Sequence, residues 1–231
     1  MNKSALWCIP FSFFLVAVTL NLIGCIQGTE LAHIVKPVLL PLLSASTLAY
    51  LVGKDYVDMR ATALLVGAQL FGCVGDVLLI PEGFPFFVSG MAAFFIGHVC
   101  YMTLFGGQSW RGLAVWQWAI SLVLLGAALW ALIWHIGVEG PLLFPMVFYG
   151  FALMMLIFSA LAGVLRMPNG RRGAWWILFL GTVLFTLSDS CIALNIFSDI
   201  VIPQYDLVVM ATYLVAQTLL AVGGIRLILG K

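Results

Sequence analysis

The stretch Gln69-Leu70-Phe71-Gly72-Cys73-Val74-Gly75-Asp76-Val77-Leu78-Leu79-Ile80 sets one carboxyl near the end of an apolar run long enough to cross a bilayer. A second stretch, Gly181-Thr182-Val183-Leu184-Phe185-Thr186-Leu187-Ser188-Asp189-Ser190, repeats the arrangement later in the chain. No other acidic residue falls well inside an apolar span. An ionisable group in hydrocarbon costs at least ~2.5–3.5 kcal/mol, so it marks a functional site unless packing accounts for it.

The residues around these stretches are apolar throughout. Of 231 residues, 64% are hydrophobic and 8% charged, against ~25% charged in soluble domains. A chain of that kind is an all-α integral membrane protein. Each span takes ~20 residues. With charges, proline and glycine as punctuation, eight spans emerge at roughly 5–26, 31–52, 60–80, 86–106, 113–135, 141–165, 173–197 and 205–228. They form a single transmembrane domain over 1–231, since no polar stretch is long enough to fold separately. A net charge of +1 argues against a nucleic-acid partner. Cys8, Cys25, Cys73, Cys100 and Cys191 lie in apolar runs without CxxC spacing and read as packing residues.

The charges then give an orientation. With eight spans, Lys3, Lys54, Arg60, Arg111, Arg166, Arg171, Arg172, Arg226 and Lys231 share one face, and only Lys36 lies toward the other. Glu30, Glu82, Glu139, Asp199 and Asp206 lie on that opposite face. The positive-inside rule puts both termini in the cytoplasm. For a bacterial source the membrane would be the inner one. Trp130 and Trp134 near one face, and Trp116, Trp118, Trp175 and Trp176 near the other, read as interfacial belts.

At ~1.5 Å per residue, Asp76 lies roughly 6–8 Å from the outer end of its helix, Asp189 roughly 12–14 Å and Lys36 about 8 Å. Gln69, Gly72 and Asp76 form one helical stripe; Thr182, Thr186 and Asp189 form another. Both stripes are too polar for lipid, so the expectation is one polar cavity in the outer half that holds Lys36, Asp76 and Asp189. A buried aspartate can also serve as a helix–helix hydrogen-bonding residue, but two at similar depth favour function. Lys36 is near enough to the interface to snorkel. His98 reaches mid-membrane. Tyr101, Tyr149, Tyr213 and Gln217 read singly as packing residues. Three histidines, His33, His98 and His135, on different spans give no convincing ligand set, so no metal or other cofactor is expected.

The ordered motifs Lys36-Pro37, Gly75-Asp76-Val77-Leu78-Leu79, Gly97-His98-xx-Tyr101 and Leu184-Phe185-xx-Ser188-Asp189 resemble those of the YhhN-like lysoplasmalogenase family, across nearly the whole chain. The resemblance implies hydrolysis of the vinyl-ether bond of 1-alkenyl lysophospholipids drawn from the bilayer. The products would be a fatty aldehyde and glycerophospho-ethanolamine or -choline. It implies Asp76 and Asp189 as the catalytic pair, with Lys36, His98, Tyr101 and Ser188 as substrate-binding residues.

The chemistry suits those residue types. A vinyl ether hydrolyses by protonation of its alkene carbon to an oxocarbenium ion, which water captures; the hemiacetal then collapses to an aldehyde. The step needs an acid and no strong nucleophile. A carboxyl in low dielectric keeps its proton more readily than one in water, and a second carboxylate can stabilise the cation or position water, as in glycosidases. Lys36 suits a headgroup phosphate. The alternative reading is a small proton- or cation-coupled transporter that uses the same two aspartates as a relay.

Overall fold

The computed structural model describes residues 6–54, 57–111, 113–137, 140–167 and 169–230, without the side chains of 132, 135, 136 and 169. Glu139 and His135, singled out above, therefore lie outside the residues or side chains described. The described residues form eight α-helices: α1 Cys8–Gln27, α2 Leu31–Val52, α3 Met59–Leu78, α4 Phe84–Ser109, α5 Val115–Ile136, α6 Leu143–Arg166, α7 Asn169–Phe197 and α8 Tyr205–Ile228. Seven are long and apolar enough to cross a membrane, and α5 adds the shorter apolar stretch Val115–Ala131. The molecule is an eight-helix membrane bundle.

Local chemistry accounts for the ends. The Asp58 side chain caps α3 by accepting from the backbone N–H of Arg60 and Ala61 at 2.9 and 3.1 Å. Gly28, at φ 61°, turns the chain out of α1 in the left-handed conformation that glycine adopts without strain. Helix α2 carries Pro37 and Pro41 within its length. Proline has no N–H, so Pro41 leaves the carbonyl of Pro37 without its helical partner. The Cys73 thiol of α3 donates to that carbonyl at 3.3 Å, which satisfies a backbone group that lipid cannot.

Sequence neighbours pair most closely, α1 with α2, α3 with α4 and α7 with α8; α4 packs on α6, and α8 closes the bundle against α1, α2 and α3. Helix α5 lies at the periphery, against α6 and one edge of α7. Large apolar side chains such as Val115, Trp134 and Leu165 face outward, whereas Asn21, Gln69, Asp76, His98 and Gln217 are buried. That inversion of the soluble pattern is what a lipid solvent selects. One tryptophan departs from the belt expectation. Trp116, Trp130, Trp134 and Trp176 are exposed, but Trp175 is fully buried. Its ring lies over Gly163 of α6, so close that a Cβ there would sit 1.9 Å from a ring carbon. The missing side chain makes room for an indole that would otherwise face the interface.

Candidate active site

Asp76 lies in the last turn of α3 and is 3% exposed. Helix α2 brings Lys36 to it, Nζ to Oδ1 at 3.6 Å, and α8 brings Tyr213, whose hydroxyl donates to Oδ2 at 2.8 Å. Asp189 sits about two turns from the C-terminal end of α7 and is partly buried. The Tyr149 hydroxyl of α6 donates to its Oδ2. The partners of the two carboxyls differ in kind: Asp76 has an ammonium and a phenol, and Asp189 has a phenol alone.

The expected single polar cavity is resolved into two. Lys36 lines a polar hollow of about 1030 Å³ between α1, α2, α7 and α8, at the end of the bundle that carries the α1–α2 connection. Asp189 and Tyr149 line an apolar cleft of about 690 Å³ walled by α4, α5, α6 and α7. Leu79, Phe87 and Ile192 line both and form the partition between them. The division follows from helix order: α2 and α8 bring Lys36, Tyr205 and Asp206 to the hollow, whereas Tyr149 is the one polar side chain that α4, α5 and α6 bring to the cleft among the described residues. The cleft in turn adjoins a wholly apolar groove of about 620 Å³ between α4 and α6, sharing Met91 and Tyr149 with it. Cleft and groove together make an apolar path from between α4 and α6 to Asp189.

Of the other anticipated residues, His98, Tyr101 and Ser188 line neither the hollow nor the cleft, as is also true of the Asp76 carboxyl itself. Ser188 donates to the Val209 carbonyl at 3.0 Å, which ties α7 to α8. Tyr101 donates to Gln217 Oε1 at 3.1 Å. His98 is 1% exposed, packs against the Phe185 ring at 4.8 Å and the Tyr149 ring at 5.4 Å, and has no hydrogen-bond partner on either nitrogen. Ser190 donates to the Thr186 carbonyl. No serine–histidine pair forms among the described residues.

Two residues that matter to the geometry, Tyr149 and Tyr213, read from the sequence as packing residues. The available signal was faint: Tyr213 and Gln217 stand one turn apart on α8, a polar pair on one face. Gly72 explains how Tyr213 reaches its carboxyl. A Cβ at Gly72 would lie 2.8 Å from Leu40 Cδ1 and 3.3 Å from the Tyr213 hydroxyl oxygen, so a glycine here lets α8 approach α3 without displacing either side chain.

This architecture defines a class: a polytopic helical membrane protein with two phenol-held carboxyls, one lining an apolar cleft and the other paired to a lysine that lines a polar hollow. The chain belongs to the YhhN family, whose model matches residues 31–224. It is 33% identical to the Sus scrofa protein named lysoplasmalogenase TMEM86B over 221 residues, 93% of this chain and 84% of that protein. Against the Homo sapiens lysoplasmalogenase TMEM86B it is 34% identical over 167 residues, 71% of this chain and 65% of the relative. With Homo sapiens lysoplasmalogenase TMEM86A the identity is 32%, over 78% of this chain and 72% of that protein. No solved structure matches.

Proposed function

We propose that this chain is a lysoplasmalogenase, a membrane hydrolase that opens the vinyl-ether bond of 1-alkenyl lysophospholipids by carboxyl acid–base catalysis. The observation that carries the reading is that Asp189 lines an apolar cleft while Asp76 is paired to Lys36, which lines the polar hollow across a shared wall. A lysoplasmalogen has the same division, with its scissile bond between headgroup-bearing glycerol and hydrocarbon chain. The names of the relatives agree with it.

Asp189 faces the chain side with only a neutral phenol as partner, which suits it to deliver the proton to the alkene carbon. Asp76, held by Lys36 and Tyr213, suits the complementary role of stabilising the oxocarbenium ion and orienting water. The water proton returns to a carboxylate, the hemiacetal expels the glycerol hydroxyl, and one water is consumed per aldehyde formed. Lys36 takes the phosphate, which a cation at the hollow's inner end can do while paired to Asp76. His98, Tyr101 and Ser188 act at one remove, holding Tyr149, Gln217 and the α7–α8 seam in register.

The purified protein can be given 1-alkenyl, 1-acyl and saturated 1-alkyl lysophospholipids of one chain length, with products followed by mass spectrometry. Aldehyde from the alkenyl lipid alone is the expected result. An ester needs a nucleophile and oxyanion stabilisation instead, and the alkyl ether has no alkene to protonate. Comparable turnover of the acyl lipid would overturn the paired-carboxyl mechanism. Ion-coupled solute uptake in liposomes without aldehyde release would favour the transporter.

A further inference from the structure

The polar hollow has a charge pattern that hydrolysis leaves unused. Besides Lys36 it is lined by Glu30, the residue that precedes α2, and by Asp206, in the first turn of α8. Both carboxylates are exposed, and neither joins an ion pair among the described residues. Lys36 lies six residues further into α2 than Glu30, about 9 Å deeper along the helix axis, with 18% of its side chain exposed. Within the hollow, moving toward its mouth, the ammonium comes first and the two carboxylates follow.

We infer that this mouth reads the amine of a zwitterionic headgroup, with Lys36 on the phosphate and Glu30 and Asp206 on the ammonium beyond it. The inference rests on the lysoplasmalogenase reading and makes Glu30 and Asp206 specificity determinants of that reaction. In a lysophospholipid the charges follow a fixed order from the glycerol, phosphate first and amine second. The hollow presents their complements in the same order. Tyr205 lines it as well, and an aromatic wall suits an organic ammonium.

Two simpler accounts fall short. An acidic residue near a helix N-terminus complements the helix dipole, and both residues do so. That role does not require the two carboxylates to share one hollow with a lysine. A metal ion would need its donors to converge on a point. Among the described residues no three of His, Cys, Asp and Glu do so, with His33 on the same wall included. Carboxylates spread around a mouth fit a bulky, diffuse cation. They also repel a headgroup whose only charge is phosphate, and selectivity of this kind comes from the repulsive element as much as from the attractive one.

The test uses two 1-alkenyl lysophospholipids of one chain length, bearing phosphoethanolamine or phosphoglycerol, with aldehyde release measured on the purified protein. Equilibrium binding of the saturated 1-alkyl counterparts, which offer no vinyl ether, is measured in parallel with radiolabelled lipid. The wild-type protein is expected to favour phosphoethanolamine in both assays, by roughly fivefold to twentyfold given how screened exposed charges are. Glu30→Gln with Asp206→Asn should bring both ratios close to one, with the kinetic change read in KM. Equal treatment of the two headgroups by the wild type, or an unchanged ratio in the double variant, overturns the inference. Absence of aldehyde from either alkenyl lipid defeats the hydrolase reading separately, and the alkyl-lipid binding ratio then still decides what the mouth recognises.

Discussion

The Lys36 ammonium lies 3.6 Å from Oδ1 of Asp76, the ion pair that joins α2 to α3 among the described residues. Tyr213 occupies the other carboxyl oxygen from α8. The carboxyl is therefore held from two sides, by the preceding helix α2 and by the distant α8, and its orientation is a property of the assembled bundle. Removing one partner of a buried pair leaves the other uncompensated, which costs more than the pair's net contribution to stability.

Lys36→Gln is accordingly expected to raise KM and to lower kcat by about tenfold, since a displaced Asp76 loses its alignment with the reacting bond. Steady-state kinetics on the 1-alkenyl lipid separates the two effects. A rise in KM with kcat untouched would confine the lysine to headgroup binding.

Asp76→Asn and Asp189→Asn are each expected to lower aldehyde release by about 10²–10⁴-fold, the usual contribution of general acid–base groups. Asparagine keeps the shape and accepts the tyrosine hydroxyl bond but cannot donate a carboxylic proton. Size-exclusion profiles of both variants and the thermal melt of Asp189→Asn should match the wild type, whereas Asp76→Asn, which leaves Lys36 without its carboxylate, should melt lower. Retention of more than about a tenth of the activity by both would remove the pair from proton transfer.

Gly72→Ala should reduce activity without touching either carboxyl. The new Cβ would stand 3.3 Å from the Tyr213 hydroxyl oxygen and 3.4 Å from Gln217 Nε2, in addition to its clash with Leu40. Tyr213→Phe removes the same hydrogen bond by another route, so the two changes combined should cost little more than either alone. Full additivity in kcat/KM would show that Gly72 acts elsewhere than through Tyr213.

Orientation is open to labelling. Val201, 87% exposed in the α7–α8 connection, and Gly170, exposed in the first turn of α7, lie at opposite ends of that helix. With the basic residues sorted to the face of Gly170, a single cysteine at 201 should react with an impermeant maleimide in intact cells, and one at 170 only after permeabilisation. The reverse pattern would invert the topology and move the polar hollow to the cytoplasmic side.

The eight helices were legible in the sequence because a spanning segment must satisfy its backbone internally, so local length and hydropathy suffice. Segments expected at 31–52 and 205–228 form α2 and α8 over those same residues. Asp76 and Asp189 stood out for a related reason: a charge in an apolar run is conspicuous within a single window. Tyrosine is not conspicuous there. The roles of Tyr149 and Tyr213 depend on hydroxyls meeting carboxyls 40 and 137 positions away. Trp175 looked interfacial from its place near a span end and became core only because Gly163 lies opposite it. The expected single cavity became a hollow and a cleft once Leu79, Phe87 and Ile192 came together from three helices. Composition determines that a helix lies in the membrane. How each helix is rotated, and which neighbour it faces, is settled by side-chain packing between distant segments, and that rotation decides which polar groups meet.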